Sequence, residues 1–222
     1  MQKSIETRWL LSSNEFKTIE HWFNQKDIYF KNTADFPRQD YYLKLVKNTN
    51  LGIKIREPKL VNNEQKSKLE IKLLLEDNGS QKFNNDNSGI VNTWEKFSFE
   101  TIGNEPETEK IIALFTFNGC ELQSWIKVEK DRLLVKFDTI KNTIVSAETM
   151  IDEGSGIELT KFKIENKIYY SLGIETFSTS KKEKDNFNQT TNYIFNDIKI
   201  SGLSSLKSLS YPEIISNHFL GY

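Results

Sequence analysis

The chain has one cysteine, Cys120, among 222 residues, and two histidines, His21 and His218. A single cysteine excludes an intramolecular disulfide and a cysteine-based zinc site. Neither histidine has a second histidine or a cysteine at ligand spacing, so both read as structural or exposed. An excess of one charge is also missing. Thirty Lys and Arg stand against 31 Asp and Glu, a net charge of -1. That balance gives no general attraction to polyanions or anionic bilayers, and neither a nucleic-acid nor a membrane partner is expected. No apolar run is long enough to span a bilayer, and Met1-Gln2-Lys3-Ser4 leads into a strand rather than a signal region. A soluble protein in a reducing, cytoplasmic setting is the expectation. What the chain does have is 37% hydrophobic and 12% aromatic residues, enough to build a core.

Ser4-Ile5-Glu6-Thr7-Arg8-Trp9-Leu10-Leu11 alternates cleanly. On a strand, Ser4, Glu6 and Arg8 point one way and Ile5, Trp9 and Leu11 the other. The pattern recurs. Lys54 and Arg56 oppose Ile53 and Ile55 in the segment 52–56, and Glu70 and Lys72 oppose Leu69, Ile71 and Leu73 in 68–76. Further strands are expected at 28–31, 41–47, 91–100, 121–129, 133–138, 145–152, 157–164 and 168–177. Pro58 should end the strand at 52–56. Residues 61–66 read as a polar connection, and 77–89, rich in Asn, Ser and Gly, as a loop without apolar anchors. Glu129-Lys130-Asp131-Arg132 reads as a hairpin turn, and 152–156 as another turn. Helical periodicity predicts helices at 13–24, 105–117 and about 187–198. Residues 201–222 have no role beyond packing on the body. The division is a barrel domain at 1–180 and a C-terminal extension at 181–222.

Many strands joined by short turns indicate antiparallel pairing, either open or closed into a barrel. The polar positions centre on single charges of both signs: Glu6, Arg8, Lys54, Arg56, Glu70, Lys72, Lys96, Lys127, Lys136, Glu148, Glu158 and Glu175. Helices can cover the apolar faces from outside, which leaves the charged faces to line an enclosed space. Enclosed Lys and Arg are costly without anionic partners. The carboxylates supply some, and a small polyanionic ligand would supply the rest. Carboxylates in the same lining could hold a hard cation such as Mg²⁺.

The stretch Ser4–Leu11 resembles the signature strand of the CYTH, or triphosphate tunnel metalloenzyme, superfamily, whose form is Glu-x-Glu-x-Lys followed by an aromatic and aliphatics. Gly52-Ile53-Lys54-Ile55-Arg56 resembles its basic strand, and Leu69-Glu70-Ile71-Lys72 the strand that follows. The segment 127–136 resembles its later basic hairpin, and Ile157-Glu158-Leu159-Thr160 a later acidic strand. The resemblance implies an α+β, mainly antiparallel β-barrel forming a tunnel with flanking helices. It assigns Glu6 and Arg8 to catalysis, Lys54, Arg56, Lys72, Lys127 and Lys136 to a triphosphate, and Glu6, Glu148, Glu158 and Glu175 to Mg²⁺ or Mn²⁺. The signature's first glutamate falls on Ser4, and its lysine on Arg8. Two functions therefore stand together: metal-dependent hydrolysis of inorganic triphosphate or a nucleoside triphosphate, and phosphoryl-ligand binding by a module that has lost part of its metal site. A β-rich scaffold is the third.

Overall fold

A computed structural model describes residues 2–31, 38–61, 64–103 and 125–221, with the backbone alone at 57–61, 64–67 and 101–103. Ten strands are present among the described residues: β1 (Gln2–Leu10), β2 (Phe30–Lys31), β3 (Arg38–Leu43), β4 (Leu51–Val61), β5 (Glu64–Lys82), β6 (Ser88–Gly103), β7 (Trp125–Asp138), β8 (Thr143–Ser146), β9 (Glu153–Ile164) and β10 (Lys167–Ser178). Helix α1 (Ser13–Lys26) follows β1, and α2 (Glu183–Asp197) and α3 (Tyr211–Leu220) follow β10. No helix among the described residues is long and apolar enough to cross a membrane.

The strands run β7-β3-β4-β5-β6-β1-β10-β9, each antiparallel to its neighbours, and β9 pairs back onto β7. That last pairing closes an eight-stranded barrel, the architecture implied by the sequence resemblance. Closure removes every edge within the ring. Strands β2 and β8 add to β7 outside it.

Alternation then decides what is inside. The outward residues Trp9, Leu133, Val135, Ile157, Leu159, Leu172 and Ile174 form one core with Ile19, Trp22 and Phe23 of α1 and Phe187, Ile194 and Phe195 of α2. Helix α1 forms where periodicity places it, and Ser12 and Glu15 cap it reciprocally. Helix α2 begins earlier than expected, at Glu183. The expected helix at 105–117, Cys120 and the start of the 121–129 strand lie outside the described residues.

Several expected boundaries are wrong, because polar residues that belong to strands read locally as turns. Glu129-Lys130-Asp131-Arg132 is no hairpin but the middle of β7, whose first half pairs with β3 and second half with β9. Strands β4 and β5 run through the supposed connection at 61–66, and the missing N–H of Pro58 produces a register shift between Arg56 and Lys59 rather than an end. Strand β5 continues to Lys82 through two further shifts. The supposed loop at 77–89 therefore shrinks to a turn, anchored after all by Phe83, which stacks on Phe195 at 5.2 Å and meets Trp9 edge-on. Strand β3 is displaced toward the N-terminus, from 41–47 to Arg38–Leu43. Strand β8 stops at Ser146, which leaves Glu148 in an exposed turn, and the expected turn at 152–156 is mostly β9.

Candidate functional site

Inside the barrel lies a cavity of about 320 Å³. Every strand of the ring contributes to it or to the groups behind it, because its inward positions fall at every second residue. Strand β1 supplies Glu6 and Arg8, β4 Lys54 and Arg56, β5 Glu70 and Lys72, β6 Lys96, β7 Lys130 and Arg132, β9 Glu158 and β10 Glu175. Strand β3 adds Arg38 and Tyr42 to the lining, with Asp40 behind them. The inward glycines of β9 and β10 make room: Gly156 is paired with Glu175, and Gly173 is paired with both Arg8 and Glu158.

The charges are arranged in clusters. At the more open end, Glu70 takes Lys54 at 2.8 Å and Arg56 at 3.0 Å. Burial alone would push the Glu70 carboxyl up; Lys54 and then Arg56 outweigh it and hold it well below the usual range. Glu6 is bridged by Lys72 and accepts a hydrogen bond from the Ser4 hydroxyl at 2.6 Å. Its pKa is nevertheless raised, first by burial and then by Glu175, which faces it across the β1–β10 ladder. Glu175 itself meets Lys96 at 3.4 Å.

Deeper in, Glu158 lies between Arg8 at 3.3 Å and Arg132 at 2.9 Å, and these two guanidiniums overcome its burial to hold it ionised. Deepest is Asp40, fully buried, with Arg38 at 2.8 Å, Lys130 at 3.2 Å and Lys54 at 3.7 Å. Burial opposes its charge, but Lys130, Lys54 and Arg38 together keep it strongly acidic. Lys130 donates to the Tyr42 hydroxyl at 2.8 Å, and burial lowers its own pKa.

Of the residues singled out from the sequence, Glu6, Arg8, Lys54, Arg56, Lys72, Glu158 and Glu175 come together here. Lys127 does not: it is on the outer face of β7, about half exposed, paired with Glu129 at 2.9 Å. Lys136 is outside the cavity lining and donates to the Thr149 carbonyl at 2.7 Å. Glu148 is exposed on its turn. Arg38, Asp40, Lys130, Arg132 and Tyr211 were not singled out. The signal for Lys130 and Arg132 was present, since they share parity with Ile126 and Val128 on one strand.

A divalent cation, implied by the resemblance, needs several oxygen ligands converging. Among the described residues no group of three His, Cys, Asp or Glu side chains could hold one. Each cavity carboxylate already faces a Lys or Arg, and Ser4, where the signature has a glutamate, brings a hydroxyl rather than a charge. The residues present do not fit a resident metal.

No protein-family model matches the chain, and no curated protein does. Solved structures match in shape. A Bacillus halodurans protein described as a candidate adenylate cyclase is 16% identical, with a TM-score of 0.46 over 90% of this chain and 94% of that one. A candidate adenylyl cyclase from Hippeastrum, reported to have a dominant triphosphatase activity, is 12% identical, with a TM-score of 0.44 over 89% and 88%. A Pyrococcus horikoshii protein is 15% identical, with a TM-score of 0.47 over 97% and 99%. At such identities the likeness is one of fold.

Proposed function

We propose that the tunnel binds a short linear polyphosphate, either inorganic triphosphate or the triphosphate moiety of a nucleotide. One observation carries this reading. Among the described residues, eight cations, Arg8, Arg38, Lys54, Arg56, Lys72, Lys96, Lys130 and Arg132, stand around one cavity against five carboxylates, Glu6, Asp40, Glu70, Glu158 and Glu175. The chain as a whole has a net charge of -1. The positive excess is therefore concentrated inside the barrel, and such an excess calls for an anion.

The way the cations are held suits a chain of phosphoryl groups. Lys54, Arg56, Lys72 and Lys96 are partly exposed along the wall, and each already points a donor at a carboxylate. A phosphate chain entering the tunnel exchanges those carboxylate oxygens for its own at little cost in side-chain ordering. Asp40 behind the lining and Glu158 within it are fixed counter-charges that keep Arg38, Lys130, Arg8 and Arg132 in place.

Metal-dependent hydrolysis of the bound triphosphate, with the ion brought in on the phosphates rather than resident in the wall, is the second reading. One observation favours it: Glu6 and Glu175 face each other on paired strands, and neighbouring carboxylates are what a hard cation takes. Calorimetric titration with tripolyphosphate, with and without Mg²⁺, tests both. Binding without Mg²⁺ that weakens as salt rises supports the first reading, and phosphate release in the Mg²⁺ arm alone supports the second. No heat and no thermal stabilisation in either arm would overturn both and leave a scaffold.

A further inference from the structure

The tunnel is not the same at its two ends. Among its charged side chains, Arg56 is 40% exposed and Glu175 43%, while Lys130 is 4% exposed and Asp40 is fully buried. The closed end is made by the segment after α2. Leu209 donates its backbone N–H to the Arg8 carbonyl at 3.0 Å, and Ser208 bridges to Trp9, so this segment is stitched to β1. Helix α3 then starts under a capping box formed by Ser210 and Glu213, with Pro212 in its first turn. Its Ile214 and Ile215 pack with Tyr42, Ile126, Val128, Phe162 and Ile164, which fill the barrel behind the charges.

Tyr211 is the residue of that segment that meets the charged part of the cavity. Its ring stacks on Tyr42 at 5.7 Å and meets Phe162 edge-on at 5.6 Å. Two cations lie over its face: Lys130 Nζ at 4.0 Å from the centroid and the Arg8 guanidinium carbon at 4.3 Å. These contacts fix the ring and use its π-electrons, but they leave the hydroxyl unused. The Tyr42 hydroxyl beside it accepts from Lys130, whereas the Tyr211 hydroxyl is buried and has no hydrogen-bond partner among the described residues. A buried hydroxyl without a partner costs free energy, and native structures rarely keep one without a use. Burial also raises its pKa, so it stays protonated and remains a donor.

We propose that Tyr211 is a specificity residue of the tunnel: at the closed end its hydroxyl donates to the terminal phosphoryl group of the bound polyphosphate, beside Arg8 and Lys130. The inference rests on the polyphosphate reading and adds a direction to it. The unsubstituted phosphoryl end goes in first and any substituent stays at the open end. The class of ligand is therefore a polyphosphate with at least one unsubstituted terminus. A triphosphate esterified at both ends cannot present one.

The test compares tripolyphosphate with a dinucleoside triphosphate, titrated against the wild type and Tyr211→Phe. The variant keeps the ring, its stacking and both cation contacts, and a melting curve matching the wild type verifies its fold. The expected result is that Tyr211→Phe weakens tripolyphosphate binding by roughly ten- to a hundredfold, the range for a hydrogen bond to a charged group, and leaves the weaker binding of the dinucleoside triphosphate unchanged. Equal affinity of wild type and variant for tripolyphosphate would overturn the role of Tyr211 and leave the tunnel reading standing. Equal weakening for both ligands would overturn the directional reading. If the wild type binds neither, the tunnel reading falls and Tyr211 with it. Should Tyr211→Phe melt early, Tyr211→Trp, which keeps a face for both cations but removes the hydroxyl, repeats the comparison.

Discussion

The guanidinium of Arg8 lies directly across Gly173, so close that a methyl group on Gly173 would stand 2.6 Å from Nη2. Gly173 is paired with Arg8 on β1 and with Glu158 on β9, and Arg8 reaches over it to that glutamate. The absent side chain is what lets a charge on one strand meet a charge two strands away.

Gly173→Ala should therefore act on binding more than on folding. The colliding atoms are the far end of a flexible side chain, which can swing aside without moving backbone. Arg8 then leaves Glu158, which keeps Arg132 at 2.9 Å and remains paired. A titration should show tripolyphosphate affinity reduced about tenfold, the loss of one charge-assisted contact, with a melting temperature near that of the wild type. Unchanged affinity would show that Arg8 does not hold the ligand.

Arg56 and Lys72 should separate in stability while agreeing in binding. Each removes a charge-assisted contact worth roughly 1.5–3 kcal/mol to a phosphate chain. Glu70 keeps Lys54 at 2.8 Å when Arg56 becomes Ala, so that variant should melt like the wild type. Among the described residues, Glu6 keeps just the Ser4 hydroxyl as a hydrogen-bond partner when Lys72 becomes Ala, so that variant should be destabilised. Adding Glu6→Gln to Lys72→Ala should restore the melting temperature without restoring affinity. Thermal melts and titrations of the three proteins decide it.

How much of this was legible in the sequence depends on the strand. In β1, β4 and β5 the inward positions are the polar ones, so a period of two placed Glu6, Arg8, Lys54, Arg56, Glu70 and Lys72 together correctly. In β7 that equation inverts. Its inward face starts apolar, with Ile126 and Val128 against α3, and turns basic only at Lys130 and Arg132. Taking the polar face as the inner one put Lys127 inside, where it is not, and made Lys130 and Arg132 a turn. Arg38 and Asp40 were lost because the strand was started at Tyr41. Tyr211 had no local signal at all: it matters because of where the tail docks, and no periodicity records that.

Glu6 should make ligand binding respond to pH. Its pKa is raised by burial and by Glu175, against the opposing pull of Lys72. Protonating it removes a negative charge from the tunnel. Tripolyphosphate affinity should therefore rise as pH falls through that raised pKa, beyond the change caused by the ligand's own protonation. Glu6→Gln carries no such charge at any pH, and the ratio of its affinity to that of the wild type should shrink toward acid. A constant ratio from neutral pH to pH 4.5, the carboxylate's ordinary value, would count against this.

Glu153 should contribute to acid stability apart from binding, beside the depressed cavity carboxylates Asp40, Glu70 and Glu158. Buried where β9 begins, it accepts from Asn186 at 2.7 Å, the Ser180 hydroxyl at 2.9 Å and the Thr179 N–H at 3.1 Å, tying α2 to the barrel. Hydrogen bonding, led by Ser178 and joined by Asn186 and Ser180, brings its pKa down to about 2 from an ordinary 4.5. A carboxylate depressed in the folded state contributes stability that is present above its ordinary pKa and is lost as pH falls through the folded one. Melting temperatures should drop between about pH 4.5 and pH 2. Glu153→Gln should melt lower at neutral pH and lose less over that window. An identical acid profile would place the acid sensitivity elsewhere.

Ser4→Glu decides between binding and hydrolysis. Ser4 is 1% exposed, and its hydroxyl donates to Glu6, which in turn faces Glu175 across the ladder. A carboxylate there adds a third to that pair, where the signature strand has its first acid. Three converging carboxylates repel one another unless a cation joins them. If the wild type is a binding module, the variant should bind Mn²⁺ in the absence of phosphate, gain thermal stability on adding it, and show metal-dependent release of phosphate from tripolyphosphate that the wild type lacks. If the wild type already hydrolyses tripolyphosphate with Mg²⁺, the extra acid should help little or slow it. Ser4→Asp, shorter by one methylene, repeats the test should the glutamate not fit. A variant that folds, binds no Mn²⁺ by paramagnetic resonance and releases no phosphate would show that these strands do not bring three carboxylates onto one ion.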